Sequence, residues 1–240
     1  MPCVRAVLFD LCDTLVHFDA ERLPLVEVDQ QPTRSTARVI YDAMAPSPSI
    51  AFAPFFTCLK TVTAEIASQR DVDHREITSR ERFRRVLERL GLPAESDHAQ
   101  RLVDAHMTRL AHALVTPPHH RAVVADLARR VRLGIVSNFD HAPTVRAVLK
   151  RDRLEEFFDV VIVSDEIGWR KPHQVMFETA LQQLGVPSGE ALFVGDNYEL
   201  DVQGATKAGL AAAWYTGGRT VTRETRHPIL VDLAEIDRLL

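Results

Sequence analysis

The chain has 240 residues, 46% of them hydrophobic and 26% charged, with a formal net charge of −4. That length and composition suit a globular protein with a substantial core, built as one large domain or two modest ones. The slight acidity and the absence of a basic patch argue against nucleic acid as a partner, and no apolar stretch is long enough to span a bilayer.

Residues 1–5 lead straight into a short apolar strand, Val7-Leu8-Phe9, so no signal-peptide core is expected. Cys3, Cys12 and Cys58 are few and scattered, which predicts a reducing cytoplasm rather than a disulfide framework. Cys3 and Cys58 read as small buried hydrophobes. The first strand runs into Asp10 and then Leu11-Cys12-Asp13-Thr14-Leu15.

From about residue 18 to residue 118 strand signals are scarce. Periodic apolar positions predict helices over 35–44, 55–69, 76–90 and 99–115, and a Pro/Ser loop over 45–49. Arg82, Arg84, Arg85 and Arg89 alternate with Glu81 and Glu88, the pattern of a solvated helix face. The hydrophobic patch at 50–56 has two readings, the core of this all-helical module or a face that closes over a substrate, and core is the one expected.

After Thr116-Pro117-Pro118 the chain alternates regularly. A helical end over 123–130 is followed by a strand over 132–136 and Ser137-Asn138. A helix over 142–150, a strand over 158–163 and a helix over 174–184 come next. Val175, Ala180, Leu181 and Leu184 are expected on one face of that helix, and Gly185 closes it. A strand over 191–194, a helix over 200–208 and a strand over 210–214 complete the series. Strands alternating with helices imply βαβ units and a parallel α/β sheet.

Two of these strands end in carboxylates, Asp10 and the Gly195-Asp196-Asn197-Tyr198-Glu199-Leu200-Asp201 segment. Ligands of an open α/β sheet bind at the carboxyl ends of its strands. Acids gathered there suggest a hard divalent cation, a nucleophilic carboxylate, or both. Other features point nowhere in particular. His119-His120, His106 and His112 lack the i, i+4 spacing of helix-borne metal ligands and read as surface or packing residues. Gly217-Gly218 lies in a late loop and fits no phosphate-binding fingerprint.

Four separated motifs resemble those of the haloacid dehalogenase superfamily, in the branch with a helical cap inserted after the first strand. They are Phe9-Asp10-Leu11-Cys12-Asp13-Thr14-Leu15, Leu133-Gly134-Ile135-Val136-Ser137-Asn138, Gly168-Trp169-Arg170-Lys171-Pro172 and Gly195–Asp201. The resemblance implies a Rossmann-like, doubly wound core over 1–17 and 119–240 and a helical cap over 18–118. It implies that Asp10 is the nucleophile and binds magnesium, with the backbone carbonyl of Cys12 and the carboxylate of Asp196. Ser137 and the backbone N–H of Asn138 would hold the transferring phosphoryl group. Lys171 would balance its charge, and Asp201 would hold a metal-bound water or orient Lys171. Pro172 is expected at the first position of the next helix. The implied activity is a magnesium-dependent phosphatase acting on a small phosphorylated metabolite through an aspartyl-phosphate.

One position departs from the family pattern. Phosphatases of the superfamily carry a second aspartate two residues after the nucleophile, as general acid and base. Here that residue is Cys12, and Asp13 comes one place too late. A thiol with a reference pKa of about 8.5 is a poor proton donor at this site, and general acid–base catalysis is worth ~10²–10⁴-fold. This leaves open a catalytically impaired homologue that binds ligands or partners. It also leaves open a different chemistry of the superfamily, a dehalogenase or a phosphonate hydrolase. The phosphonate enzymes use a cap lysine; Lys60 is the one lysine of this cap, but Thr57-Cys58-Leu59-Lys60-Thr61 does not resemble their motif.

Overall fold

The structure, a computed structural model, describes residues 4–28, 31–44 and 50–240. Cys3 and the loop expected over 45–49 lie outside the described residues. The chain forms two compact units. One comprises the chain up to Phe18 and from Val115 onward, the other Asp19–Leu114.

The chain begins with β1 (Ala6–Phe9), leaves the first unit through β2 (His17–Phe18), and enters the hairpin β3 (Leu25–Val28) and β4 (Gln31–Arg34). Helices α1 (Ala37–Asp42), α2 (Phe52–Asp73), α3 (Ser79–Arg89) and α4 (Ser96–Ala113) complete the inserted unit. The chain returns through β5 (Leu114–Val115) into α5 (His120–Leu127), β6 (Arg132–Ser137), α6 (Ala142–Arg151), β7 (Val160–Val163) and the single turn α7 (Ser164–Ile167). It ends with α8 (Gln174–Leu184), β8 (Ala191–Gly195), α9 (Gly204–Lys207), β9 (Ala211–Tyr215) and β10 (Ile229–Leu230).

Six strands form one parallel sheet in the order β10-β9-β8-β1-β6-β7. Every residue of β1 and β8 is buried. Such continuous apolar runs are what a sheet covered on both faces requires. The core includes Leu8, Val136, Phe177, Phe193 and Trp214.

Three local expectations need correction in this unit. The buried face of α8 is Met176, Phe177, Ala180, Leu181 and Leu184, with Val175 only partly covered. Pro172 does not open α8. His173 is the N-cap, extended and with its side chain accepting from the Val175 N–H, so the helix starts at Gln174. The segment over 200–208 is not one α-helix. Tyr198–Gln203 is a π-helical turn, because the Asn197 carbonyl accepts from both Asp201 (2.9 Å) and Val202 (3.4 Å). Such widened turns are frequent at functional sites.

The inserted unit is not all-helical as expected. β3 and β4 pair antiparallel, from Leu25↔Arg34 to Val28↔Gln31. Each strand has four residues and Pro32 interrupts the second, which is why the sequence pattern is faint; an edge strand tolerates such a proline. Arg34 pins the hairpin by donating to the Leu23 carbonyl at 3.1 Å and to Glu21 at 3.0 Å. In the helices, Thr78 caps α3 by accepting from the Glu81 N–H at 3.2 Å, the first half of a capping box. Arg84 and Arg85 both pair with Glu81 on its outer face. Phe55, Phe56 and Cys58 are buried, so the 50–56 patch is core at its end, while Ala51, Ala53 and Pro54 are exposed. Lys60 is exposed, its ammonium 4.9 Å from the Phe56 ring centre. The ends of the unit meet where the Asp19 N–H donates to the Ala113 carbonyl at 2.8 Å. Among the described residues no helix is long and apolar enough to cross a membrane.

Candidate active site

The sheet order places β1 between β8 and β6, so the carboxyl ends of all three converge. Phe9 is in register with Val194 and with Ile135. Asp10 continues the ladder by donating its N–H to the Val194 carbonyl at 2.9 Å. Asp196 leaves the neighbouring strand beside it, and Ser137 ends β6 as a buried residue.

Lys171 reaches the same point from the turn before α8. Asn138 fixes its backbone with both ends of its amide. The Lys171 N–H donates to Asn138 Oδ1 at 2.7 Å, and Asn138 Nδ2 donates to the Lys171 carbonyl at 3.0 Å. The lysine side chain is 2% exposed. Its ammonium contacts Asp10 and lies 2.8 Å from Asp201 Oδ1. Asp201 is itself held by the Asn197 N–H, which donates to Oδ2 at 2.9 Å.

Gly195 is required for this arrangement. A Cβ there would fall 2.4 Å from the Asp201 carboxyl carbon, and that carboxylate is pinned from two sides. Gly195→Ala is therefore expected to cost roughly 1–3 kcal/mol, as overpacking does, read as a lower urea midpoint in chemical unfolding. An unchanged midpoint would mean that Asp201 can move aside freely.

The side chains of Asp10, Asp196 and Asp201 each offer an oxygen, and these lie within 4.8 Å of one another. Burial pushes the Asp10 carboxyl up to about 7 against the pull of Lys171, and Asp201 adds to the rise. Burial raises Asp196 as well, again helped by Asp201 and opposed by Arg219. Burial alone would lower the Lys171 ammonium, but Asp10 and Asp201 outweigh it and move it upward. Three carboxylates thus share two cationic side chains, Lys171 and Arg219. Asp201 Oδ1 touches Lys171 without a well-directed hydrogen bond. An oxygen-only, under-neutralised pocket of this kind fits a hard divalent cation.

Cys12 stands on the turn after β1, bridged to Val16. Its side chain is partly covered, and burial together with Asp10 and Asp13 pushes the thiol above its ordinary range. Asp13 does not replace the missing acid. It adopts a left-handed φ of 58° and accepts from the Phe18 N–H at 3.0 Å, so its carboxylate serves the turn. His120 is a packing residue, buried with Nδ1 3.0 Å from the Leu15 carbonyl; His106 lies in the inserted unit, 2.8 Å from Thr36 Oγ1.

One residue escaped the sequence reading. Arg219 Nη2 donates to Asp196 Oδ2 at 3.0 Å. The signal was the Gly217-Gly218 pair just before it, which matched no motif.

A family profile described as haloacid dehalogenase-like hydrolase matches residues 52–215. The chain is 28% identical to a glyceraldehyde 3-phosphate phosphatase of Methanopyrus kandleri over 98% of its own length and 94% of the relative's. Two other curated relatives are matched over only 58% and 63% of their own length. Among solved structures, a 2-haloacid dehalogenase from Pseudomonas syringae pv. Tomato DC3000 superposes with a TM-score of 0.71 at 22% identity, covering 98% of this chain and 97% of that one. The HAD-hydrolase YfnB from Bacillus subtilis, bound to magnesium, does so with a TM-score of 0.64 at 20% identity, covering 99% and 98%. On the fold, the motifs and the profile match, the chain belongs to the haloacid dehalogenase-like hydrolases.

Proposed function

We propose that the protein is a magnesium-dependent phosphatase that hydrolyses a small phosphorylated metabolite through an aspartyl-phosphate on Asp10. The observation that carries this reading is the oxygen-only cluster of Asp10, Asp196 and Asp201 around a buried lysine. A relative matched along almost its whole length is a phosphatase. YfnB, of the same fold, carries magnesium.

Asp10, Asp196 and the backbone carbonyl of Cys12 would hold the ion, which would neutralise the repulsion between an anionic nucleophile and an anionic phosphoryl group. Asp10 attacks phosphorus and the leaving oxygen departs; water then cleaves the acyl phosphate and regenerates the carboxylate. Lys171 favours ionised Asp10 and faces the charge that gathers on the phosphoryl oxygens. Ser137 and the Asn138 N–H donate to those oxygens, while the Asn138 side chain keeps Lys171 in place. The inserted unit, Asp19–Leu114, would select the substrate.

The raised Cys12 thiol supplies no ready proton to a leaving alkoxide. Aryl and acyl phosphates, whose leaving groups bear negative charge, are therefore the favoured substrates. The same observation motivates the competing reading, a catalytically impaired homologue that only binds ligands.

Turnover of aryl, acyl and alkyl phosphates with and without magnesium tests the proposal, together with melting curves in EDTA and in magnesium at pH 5 and pH 8. The ordinary value for Asp10 is 3.8 and its folded value about 7. Between these the metal-free fold binds a proton that the unfolded chain does not. Its stability is thus expected to fall as pH rises from about 4 to 7. Magnesium should raise the melting temperature more at pH 8 than at pH 5, where the proton competes for Asp10. No magnesium stabilisation at pH 8 and no metal-dependent turnover would sink the proposal.

A further inference from the structure

We propose that Arg219 is a positioning residue for the divalent cation: it holds one oxygen of Asp196 so that the other is presented to the ion. The inference rests on the metal-dependent reading above and adds a residue to it.

The arginine is built into place. β9 ends at Tyr215, and the Thr216 N–H donates to the Leu230 carbonyl at 2.8 Å, tying this point to β10. Gly217 and Gly218 follow with φ of +57° and +82°. The Arg219 N–H then donates back to the Thr216 carbonyl at 3.0 Å. Two positive φ values at the centre of a four-residue turn are the type I′ pattern, which side chains other than those of glycine, asparagine and aspartate adopt poorly. The double glycine therefore turns the chain so that Arg219 returns over the end of β8.

The side chain is fixed at two points. Nε donates to the Thr216 carbonyl at 2.9 Å and Nη2 donates to Asp196 Oδ2 at 3.0 Å. Asp196 is also held at its backbone, where Trp214 Nε1 donates to its carbonyl at 2.8 Å. Backbone and carboxylate of the candidate ligand are thus oriented by separate groups of the β9 region. Arg219 takes only Oδ2, which leaves the lone pairs of Oδ1 for a cation shared with Asp10. Hydrogen-bond partners of metal-ligating carboxylates fix their orientation, and losing one typically costs about 10–100-fold in metal affinity.

A half-exposed guanidinium could instead act as a mobile counter-charge that the ion displaces; its side chain is 56% exposed. The Nε anchor favours a fixed strut over a swinging arm. It also makes a geometric demand that lysine, a point charge without a planar fork, does not meet.

The test is isothermal titration of the metal-free protein with magnesium chloride, comparing wild type with Arg219→Ala, Arg219→Lys and Arg223→Ala. Circular dichroism and melting in EDTA confirm that each variant is folded. Arg223 is the control: it lies on the same loop, paired with Glu199 and stacked over Tyr198. The expected result is a magnesium Kd about 10–100-fold weaker for Arg219→Ala, little recovery in Arg219→Lys, and a wild-type Kd for Arg223→Ala. Unchanged or tighter binding by Arg219→Ala would overturn the inference, tighter binding because it marks a competitor. Full rescue by lysine would overturn it too, since charge alone would then suffice. So would an equal loss in Arg223→Ala, which would assign the effect to the loop as a whole. Wild-type protein that binds no magnesium at pH 8 would overturn the metal-dependent reading itself, an outcome distinct from all of these.

Discussion

Replacing Asp10 by asparagine is expected to bring phosphatase turnover to background while leaving the metal-free protein at least as stable as wild type at pH 8. The two effects have separate causes. A carboxamide is nearly isosteric with the carboxylate but is a far weaker nucleophile, so the covalent step has no donor. Stability follows the electrostatics instead. Burial holds the Asp10 carboxyl at about 7, so at pH 8 the fold carries a charge it disfavours. Asparagine removes that charge and keeps an acceptor for Lys171. Magnesium should then stabilise the variant less than wild type, because one ligand is lost. Steady-state turnover on an aryl phosphate and paired melts in EDTA and magnesium read both effects. Near wild-type turnover by purified Asp10→Asn would remove Asp10 from the mechanism.

Cys12→Asp is expected to raise turnover of alkyl phosphates by up to ~10²–10⁴-fold, the usual worth of a positioned acid. Gains on aryl phosphates should be much smaller, since their leaving groups depart without a proton. The surroundings favour this outcome. Burial, Asp10 and Asp13 push the present thiol upward, and the same environment would lift a carboxyl toward working pH, where a general acid is most effective. A fourth acid adds repulsion, so the variant should depend more strongly on magnesium for stability. The comparison to make is the ratio of alkyl to aryl rates in both proteins at saturating magnesium. If Cys12→Asp stays folded, binds magnesium and leaves both substrate classes equally inert, the absent acid is not the obstacle, and a binding role becomes the better reading.

The central sheet was legible because its strands are unbroken apolar runs, and β6, β8 and β9 begin and end within a residue of the expected positions. Helix α8 was legible because Gly185, at φ +64°, stops it. The four acidic and basic residues at the centre were legible as motifs, but the role of the Asn138 side chain was not. Its clamp on Lys171 joins residues far apart in the chain, and local pattern carries no trace of that. Pro172 and the 200–208 segment were misread for a common reason. In each, a single side chain or carbonyl, His173 or Asn197, sets the local geometry against the average preference of the segment. The β3–β4 hairpin is too short for periodicity to reveal. Arg219 lay behind a glycine pair whose importance depends on where β8 ends in space.

The hydrogen bond between Asp19 and Ala113 bears on how the molecule assembles. β1 lies at the middle of the sheet, yet both of its partners are encoded far downstream. A nascent chain would expose this apolar segment until β6 emerged, and bringing such distant strands together carries a loop-closure penalty that slows folding. Most of the intervening chain is a unit with its own core whose two ends are already fastened to each other. If that unit condenses first, β1 and β6 are joined by a short tether rather than a long one, and each halving of the effective loop saves ~0.6 kcal/mol of closure entropy. The insertion would then act as a folding splint, so that loosening its Asp19–Ala113 clasp should slow refolding of the sheet more than it lowers equilibrium stability.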